Sequence, residues 1–312
     1  MTYLAADDVW PLRSMLFVPG HKLDWIRKAS RYKPDALIID LEDAVPLSEK
    51  AAARLATREG IAHCHSTGLT ATVRINALAV GGLEDIDAIA SSGLAAVVVP
   101  KLRTAVEVQL VDRALGYAEG RAGLPFGSVN IVLIPETAAG LRDAGQLAAA
   151  SPRVKSIMGG FSVGVVGDIA GAVGFRPTED GMEQHYLASK LVLDSRAAGA
   201  MFPVCVIVGT RIDDLATVRT LVNRARQFGF TGCALIHPSH VAVANEAYMP
   251  TQEEVDHASG LLEAVARGEG SGTGAVLYKG MMVDYAMAAP AKATLREAAR
   301  RGIGRTNSGH GE

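Results

Sequence analysis

Ile131-Val132-Leu133-Ile134-Pro135-Glu136 is the stretch whose reading decides the fold. Four apolar residues in a row, with no polar alternation, describe a short strand covered on both faces, as in a parallel sheet under helices. Pro135 ends the run and delivers it to a carboxylate. The glycine-rich stretch Gly159-Gly160-Phe161-Ser162-Val163-Gly164-Val165-Val166-Gly167 also ends on an acid, Asp168. Working outward, strand-like runs recur at 14–18, 36–39, 70–75, 95–99, 154–158, 202–208 and 233–236. Helical spacing fills intervals at 23–30, 48–61, 83–90, 106–117, 138–150, 183–198 and 215–228. In the first of these, Trp25, Ile26 and Ala29 fall on or near one face.

Eight strand-then-helix units in about 240 residues predict an α/β protein, a (β/α)8 TIM barrel. An open doubly wound sheet is the alternative. Its dinucleotide fingerprint is missing, because Phe17-Val18-Pro19-Gly20 is not glycine-rich and 164–174 holds no lysine or serine in phosphate-loop order. In either architecture chemistry collects at the carboxyl ends of the strands, where Glu136 and Asp168 are expected. Beyond Pro250, a helix start at Glu253-Glu254 leads to Gly268, Gly270, Gly272 and Gly274. The piece 275–300 is too short for its own core and reads as a C-terminal helical lid or exchange arm. The expected organisation is a barrel over 1–250, an arm over 251–303 and a disordered tail over 304–312.

Composition narrows the partners. A formal net charge of -2 over 312 residues gives no reason to expect nucleic acid or an anionic membrane. Cys64, Cys205 and Cys233 are scattered and odd in number, which suits neither a disulfide framework nor a zinc site. No run approaches membrane-spanning length and no signal-peptide pattern precedes Arg13, so a cytoplasmic protein is expected.

Two acids at strand ends with no nearby cysteine or histidine suit a hard divalent cation, Mg²⁺ before Zn²⁺. The competing reading makes Glu136 and Asp168 helix N-caps. Arg74, ending an apolar strand, needs either an anionic ligand or a salt bridge to Asp40, Glu42 or Asp43 after the previous strand. Glu42 and Asp43 are candidates for contact with a metal-bound water. Arg13 and Lys101 are basic groups near a possible anion path, or solvated rim charges. His237, in Ile236-His237-Pro238, either orients a neighbour or is structural. Asp284, in Met281-Met282-Val283-Asp284, is either a proton carrier on a closing arm or an ordinary cap.

Arg13-Ser14-Met15-Leu16-Phe17-Val18-Pro19-Gly20, Asp40-Leu41-Glu42-Asp43-Ala44-Val45, Arg74-Ile75-Asn76, Pro100-Lys101, Glu136-Thr137-Ala138, Ile236-His237-Pro238 and Met282-Val283-Asp284, in this order, resemble the citrate lyase beta-subunit-like branch of the HpcH/HpaI aldolase superfamily. The resemblance spans about residues 13–300. It implies a Mg²⁺-dependent carbon–carbon lyase that cleaves 3-hydroxyacyl-coenzyme A thioesters, such as malyl-, citramalyl- or citryl-coenzyme A, to a 2-oxo acid and an acyl-coenzyme A. It also implies a homotrimer or hexamer whose arm reaches a neighbouring subunit. By the same resemblance Glu136 and Asp168 are metal ligands, Arg74 steadies the enolate and Asp284 is the acid. Glu42 and Asp43 position water and basic groups, while Arg13, Lys22 and Lys101 line the coenzyme path. The rival readings are an aldolase of free 4-hydroxy-2-oxo acids using His21, an acyl-coenzyme A thioesterase, and a noncatalytic acyl-coenzyme A-binding protein.

Overall fold

Eight parallel strands close on themselves: β1 (Ser14–Pro19), β2 (Ala36–Asp40), β3 (Thr70–Arg74), β4 (Leu94–Pro100), β5 (Asn130–Ile134), β6 (Val154–Ser162), β7 (Val204–Val208) and β8 (Gly232–Leu235), with β8 pairing back onto β1. This computed structural model describes residues 9–270 and 272–304. The tail expected over 304–312 therefore lies, except for Gly304, outside the described residues. Around the barrel run α1 (Leu23–Ala29), α2 (Lys50–Thr67), α3 (Gly82–Ile89), α4 (Ala105–Ala122), α5 (Ala138–Arg142), α6 (Ala144–Ala149), α7 (Asp168–Val173), α8 (His185–Ala197), α9 (Leu215–Phe228) and α10 (Val241–Ala247).

The absence of polar alternation in the strands has a direct cause. Met15, Ile38, Val98, Val132, Met158 and Ala234 fill the barrel interior. Their neighbours Leu37, Ile39, Val97, Val99, Ile131 and Leu133 belong to the second layer, packed with apolar helix residues. Each such large side chain contributes about 1.5–3 kcal/mol by leaving water. Trp10 and Phe202 stack with ring centroids 5.8 Å apart in the inner layer. Helix ends follow local rules: Thr104 and Glu107 form a capping box at the start of α4, and left-handed Gly123 stops it.

Three local expectations change. The 138–150 segment is two helices, broken at Asp143. Strand β6 continues through Gly159 and Gly160 to Ser162, so Asp168 follows a further loop, 163–167, and opens α7 instead of ending a strand. The glycines extend the strand because β7 crowds it: a Cβ on Gly160 would lie 2.4 Å from the Val206 carbonyl oxygen. On α1, Ile26 and Ala29 are buried but Trp25 is 58% exposed.

The chain divides into two compact units between Tyr248 and Met249. The second comprises α11 (Gln252–Gly270), an antiparallel hairpin of β9 (Ala275–Tyr278) and β10 (Met281–Asp284), and α12 (Ala288–Arg300). Contrary to the expectation that 275–300 has no core, it joins α11 in a small one: Ala258, Leu261 and Val265 pack with Val283 and Ala291. The hairpin turns at Lys279-Gly280, where both residues have positive φ, the backbone a two-residue hairpin loop requires. Gly268 and Gly270 are helical, not hinge residues.

Candidate active site

All eight strands point the same way, so their carboxyl ends form one face. Asp40 and Arg74 are the last residues of neighbouring strands and stand directly opposite in register. The Arg74 guanidinium donates to both Asp40 oxygens, Nε at 2.7 Å and Nη2 at 2.6 Å. Asp40 also accepts from the backbone N–H groups of Glu42 and Ala44, folding the chain back on itself. That turn brings Glu42 Oε2 to 3.1 Å and Asp43 Oδ2 to 3.5 Å from Arg74 Nη1. Lys101, just past β4 and held at a φ of 57°, reaches Glu42 at 2.9 Å and Asp43 at 3.4 Å. The salt-bridge reading of Arg74 thus holds with all three acids.

The charges differ in state. Burial pushes the Asp40 carboxyl up, but the hydrogen bonds and charge of Arg74 and the two backbone N–H groups hold it below its ordinary value. Burial dominates at Glu42, whose carboxyl is raised despite Arg74 and Lys101. Burial opposes the Arg74 charge, but Asp40, Glu42 and Asp43 overcome this and raise its pKa further.

Neither Glu136 nor Asp168 is a helix cap. Thr137, not Glu136, caps α5 by accepting from Gly140 N–H. Asp168 is the first residue of α7, behind Gly167 at the cap position. Burial pushes the Glu136 carboxyl up to about 8, the charges of Glu42 and Asp168 add to the rise, and Arg74 and Lys101 oppose it. Glu136 Oε1 is buried with no hydrogen-bond partner among the described residues.

Five carboxylates (Asp40, Glu42, Asp43, Glu136 and Asp168) therefore share one field with two cations, Arg74 and Lys101. Uncompensated negative charge beside an orphaned carboxylate oxygen fits a hard cation. Among the described residues no three His, Cys, Asp or Glu side chains form a cage of their own. The fit is to an ion with two protein oxygens and open positions for water and substrate.

Glu136, Asp168, Arg74 and Asp40 line a cavity of about 760 Å³. Its walls include Phe17, Phe161, Val206 and Ile236, and Phe17 lies under the Arg74 guanidinium at 5.1 Å. Lys28 and Tyr32, which the sequence reading passed over, reach it from the end of α1 and the turn after it, together with Trp25. Their spacing with Ala29, at i, i+3, i+4 and i+7, is the signal, but the same spacing also describes a core stripe. Gln184 was missed as well; its amide accepts from Ser162 N–H and donates to the Ser162 carbonyl, fixing the end of β6.

Other expected residues lie elsewhere. Arg13 precedes β1, so it sits at the opposite, amino-terminal end of the barrel, where its guanidinium is clamped by Asp35 at 2.7 and 2.9 Å and donates to the Asn245 carbonyl. Position before a strand, not after it, decides this, and Arg13 is not on the face that carries the cavity. Lys22 is exposed in the loop before α1 and is not among the residues lining the cavity. Asp284, in the second unit, accepts from Ala286 N–H at 2.9 Å and so does act as a cap. His237 lines the cavity and its Nδ1 contacts Ser239.

A closed parallel barrel with an acidic, arginine-pinned centre in a cavity at its carboxyl face defines the TIM-barrel enzymes. The chain belongs to the HpcH/HpaI aldolase/citrate lyase family, whose profile matches residues 13–238. It is 35% identical over 288 residues to a citrate lyase subunit beta-like protein of Deinococcus radiodurans, covering 91% of this chain and 96% of that one. It is 31% identical to the L-malyl-CoA/beta-methylmalyl-CoA lyase of Cereibacter sphaeroides, covering 92% and 95%. Among solved structures, CitE from Mycobacterium tuberculosis in complex with magnesium, acetoacetate and coenzyme A matches with a TM-score of 0.70 at 27% identity, over 93% of this chain and 99% of that one. Family and fold agree with the resemblance read from the motifs, and the chain is an enzyme of a carbon–carbon lyase family. No helix among the described residues is long and apolar enough to cross a membrane.

Proposed function

We propose that this protein is a Mg²⁺-dependent lyase that cleaves a 3-hydroxyacyl-coenzyme A of the malyl, citramalyl or citryl type into a 2-oxo acid and an acyl-coenzyme A. The observation that carries this reading is Glu136, whose Oε1 is buried without a hydrogen-bond partner among the described residues and whose charge is repelled by Glu42 and Asp168, in the same cavity as Arg74. Glu136 and Asp168 would hold the ion, which when bound supplies Lewis-acid polarisation of the oxygens it touches.

The remaining work falls to the chain. Arg74, fixed by Asp40 on one side and resting on Phe17 on the other, presents a preorganised positive charge to the oxygen that becomes an enolate as the carbon–carbon bond breaks. Glu42 and Asp43 hold Arg74 and Lys101 in place. The apolar walls exclude water from the nascent enolate. Asp284 is the acid this reading assigns to protonating the enolate carbon, and a trimer or hexamer joined through the C-terminal arm belongs to it. Lys101, with Lys28 and Trp25 at the cavity, are the groups available to a coenzyme tail; Arg13 is withdrawn from that role.

The test is release of 2-oxo acid from malyl-, citramalyl-, citryl- and β-methylmalyl-coenzyme A, with and without a chelator, beside free 4-hydroxy-2-oxo acids. Turnover of the thioesters alone, lost on chelation and in Asp168→Ala, supports the reading. Turnover of only the free acids would transfer the protein to the aldolase reading. Against that rival, His21 contacts Glu49 at 3.9 Å and does not line the cavity. Free-acid release without 2-oxo acid would make it a thioesterase.

A further inference from the structure

We propose that Val206 and Val208 form an apolar specificity wall, which seats an alkyl substituent on the hydroxyl-bearing carbon of the substrate and rejects a carboxylate there. This rests on the lyase reading for the reaction and narrows its substrate: an unbranched alkyl group is accepted where a citryl compound carries its second free carboxyl.

Strand order sets the layout of the cavity. In a closed ring of eight, β3 and β7 stand opposite one another. Arg74 ends β3, and Glu136 and Asp168 follow β5 and β6. Val206 and Val208 lie on β7, with Ile236 directly after β8, and all three line the cavity. Side chains alternate along β7: Cys205 and Ile207 are buried in the outer layer, while Val204 packs into the barrel interior. Val206 and Val208 continue that inward set toward the carboxyl end, where both are only partly buried, as cavity-wall residues are.

The polar groups near this wall are engaged or stand elsewhere. Ser162 pairs with Val208 in register, and its hydroxyl turns to Gln184 Oε1 at 3.4 Å. Arg74 is across the ring, with Nε and Nη2 held by Asp40 and Nη1 by Glu42 and Asp43. Lys28 is carried by α1, with β8 and β1 between its strand-end position and β7. His237, beside Ile236, accepts at Nδ1 from the Ser239 N–H at 3.3 Å. A carboxylate laid on Val206 and Val208 would therefore leave water for aliphatic side chains instead of a cation, which is costly.

The tetrahedral hydroxyl carbon has four groups to place. Its hydroxyl and carboxylate belong with Glu136 and Asp168, and the carbon that becomes the enolate belongs with Arg74. The fourth substituent is left to β7 and β8. A hydrophobic pocket distinguishes one methylene by about 10–200-fold in kcat/KM, and a partly open wall by less.

The test is a series of thioesters differing only in that substituent: hydrogen, methyl, ethyl or carboxymethyl. The kcat/KM for release of glyoxylate, pyruvate, 2-oxobutyrate or oxaloacetate is compared. Methyl and ethyl should equal or exceed hydrogen, and carboxymethyl should fall at least about tenfold below methyl. A methyl or ethyl compound poorer than hydrogen, or carboxymethyl within about tenfold of methyl, overturns the proposal. Val208→Lys can rest its stem on the wall and present its ammonium, so the carboxymethyl-to-methyl ratio should rise at least about threefold; a smaller change overturns the proposal. If that variant does not fold, Val208→Ala should lower the methyl-to-hydrogen ratio, whereas a residue that merely touches the coenzyme arm would shift all four compounds alike, and that result overturns it. Calorimetry of the four free 2-oxo acids with the Mg²⁺-loaded protein reads the wall without turnover: pyruvate and 2-oxobutyrate should bind more tightly than oxaloacetate, and the reverse order overturns the proposal. A wild type that cleaves none of the thioesters sinks the lyase reading, and the binding order then decides the wall alone.

Discussion

Replacing Glu136 with glutamine should stabilise the metal-free protein, and increasingly so as pH rises. The glutamate carboxyl rises from 4.5 in the unfolded chain to about 8 in the fold, pushed first by burial and then by Glu42 and Asp168. A carboxyl whose pKa is raised by folding binds its proton more tightly in the native state, so stability falls as pH climbs from about 4.5 to about 8. At about 1.4 kcal/mol per unit the full penalty is about 5 kcal/mol; cavity water and titration shared with the neighbouring acids reduce it to about 2–4 kcal/mol. For a barrel of this size that is a rise in Tm of roughly 5–10 °C at about pH 9, shrinking toward zero near pH 5.

The assay is thermal melting of wild type and Glu136→Gln in a chelator across that pH range, repeated with Mg²⁺. Saturating Mg²⁺ at about 100 times its Kd should raise wild-type stability by about 2.7 kcal/mol and leave the glutamine variant nearly unmoved. A stability difference that does not change with pH would refute the charge argument. So would a glutamine variant less stable than wild type at high pH without metal. Equal Mg²⁺ stabilisation of both proteins would remove Glu136 from the metal site.

Other consequences follow from neighbouring contacts. Arg74→Ala leaves Asp40 buried without its cation and should cost about 3–5 kcal/mol in denaturant unfolding, whereas Arg74→Lys should keep most of the stability yet lower kcat at least tenfold, because an ammonium cannot reproduce the two-pronged contact. Gly160→Ala drives a Cβ to 2.4 Å from the Val206 carbonyl oxygen and 2.5 Å from its nitrogen, so the expected outcome is an insoluble protein or one with a markedly lower Tm; a wild-type melt would show that β6 and β7 can separate. Away from the site, burial pushes Glu119 up, but Arg153 at 2.7 and 2.8 Å and the Val129 and Gly127 N–H groups hold it below its ordinary value. Its contribution is therefore present above about pH 4.5 and lost as pH falls through the lower folded value, so Glu119→Gln should cost about 3 kcal/mol near neutrality and progressively less in acid melts.

What the sequence makes legible follows from how local the determining physics is. Uninterrupted runs such as Ile131–Ile134 are apolar because both strand faces are covered, so the barrel is readable residue by residue. Arg74 and Asp40 are readable for a related reason: each ends such a run, and in a parallel barrel all such ends share a face. Trp25, Lys28 and Tyr32 are not, because helical spacing states which residues share a face but not whether core or cavity lies opposite. Arg13 fails for want of direction, since a charge beside a strand reads alike at either end until the strand's polarity in the barrel is applied. The 275–284 hairpin was legible in principle, but its turn is Lys279-Gly280 and lacks the Asn or Asp that usually announces two positive φ angles.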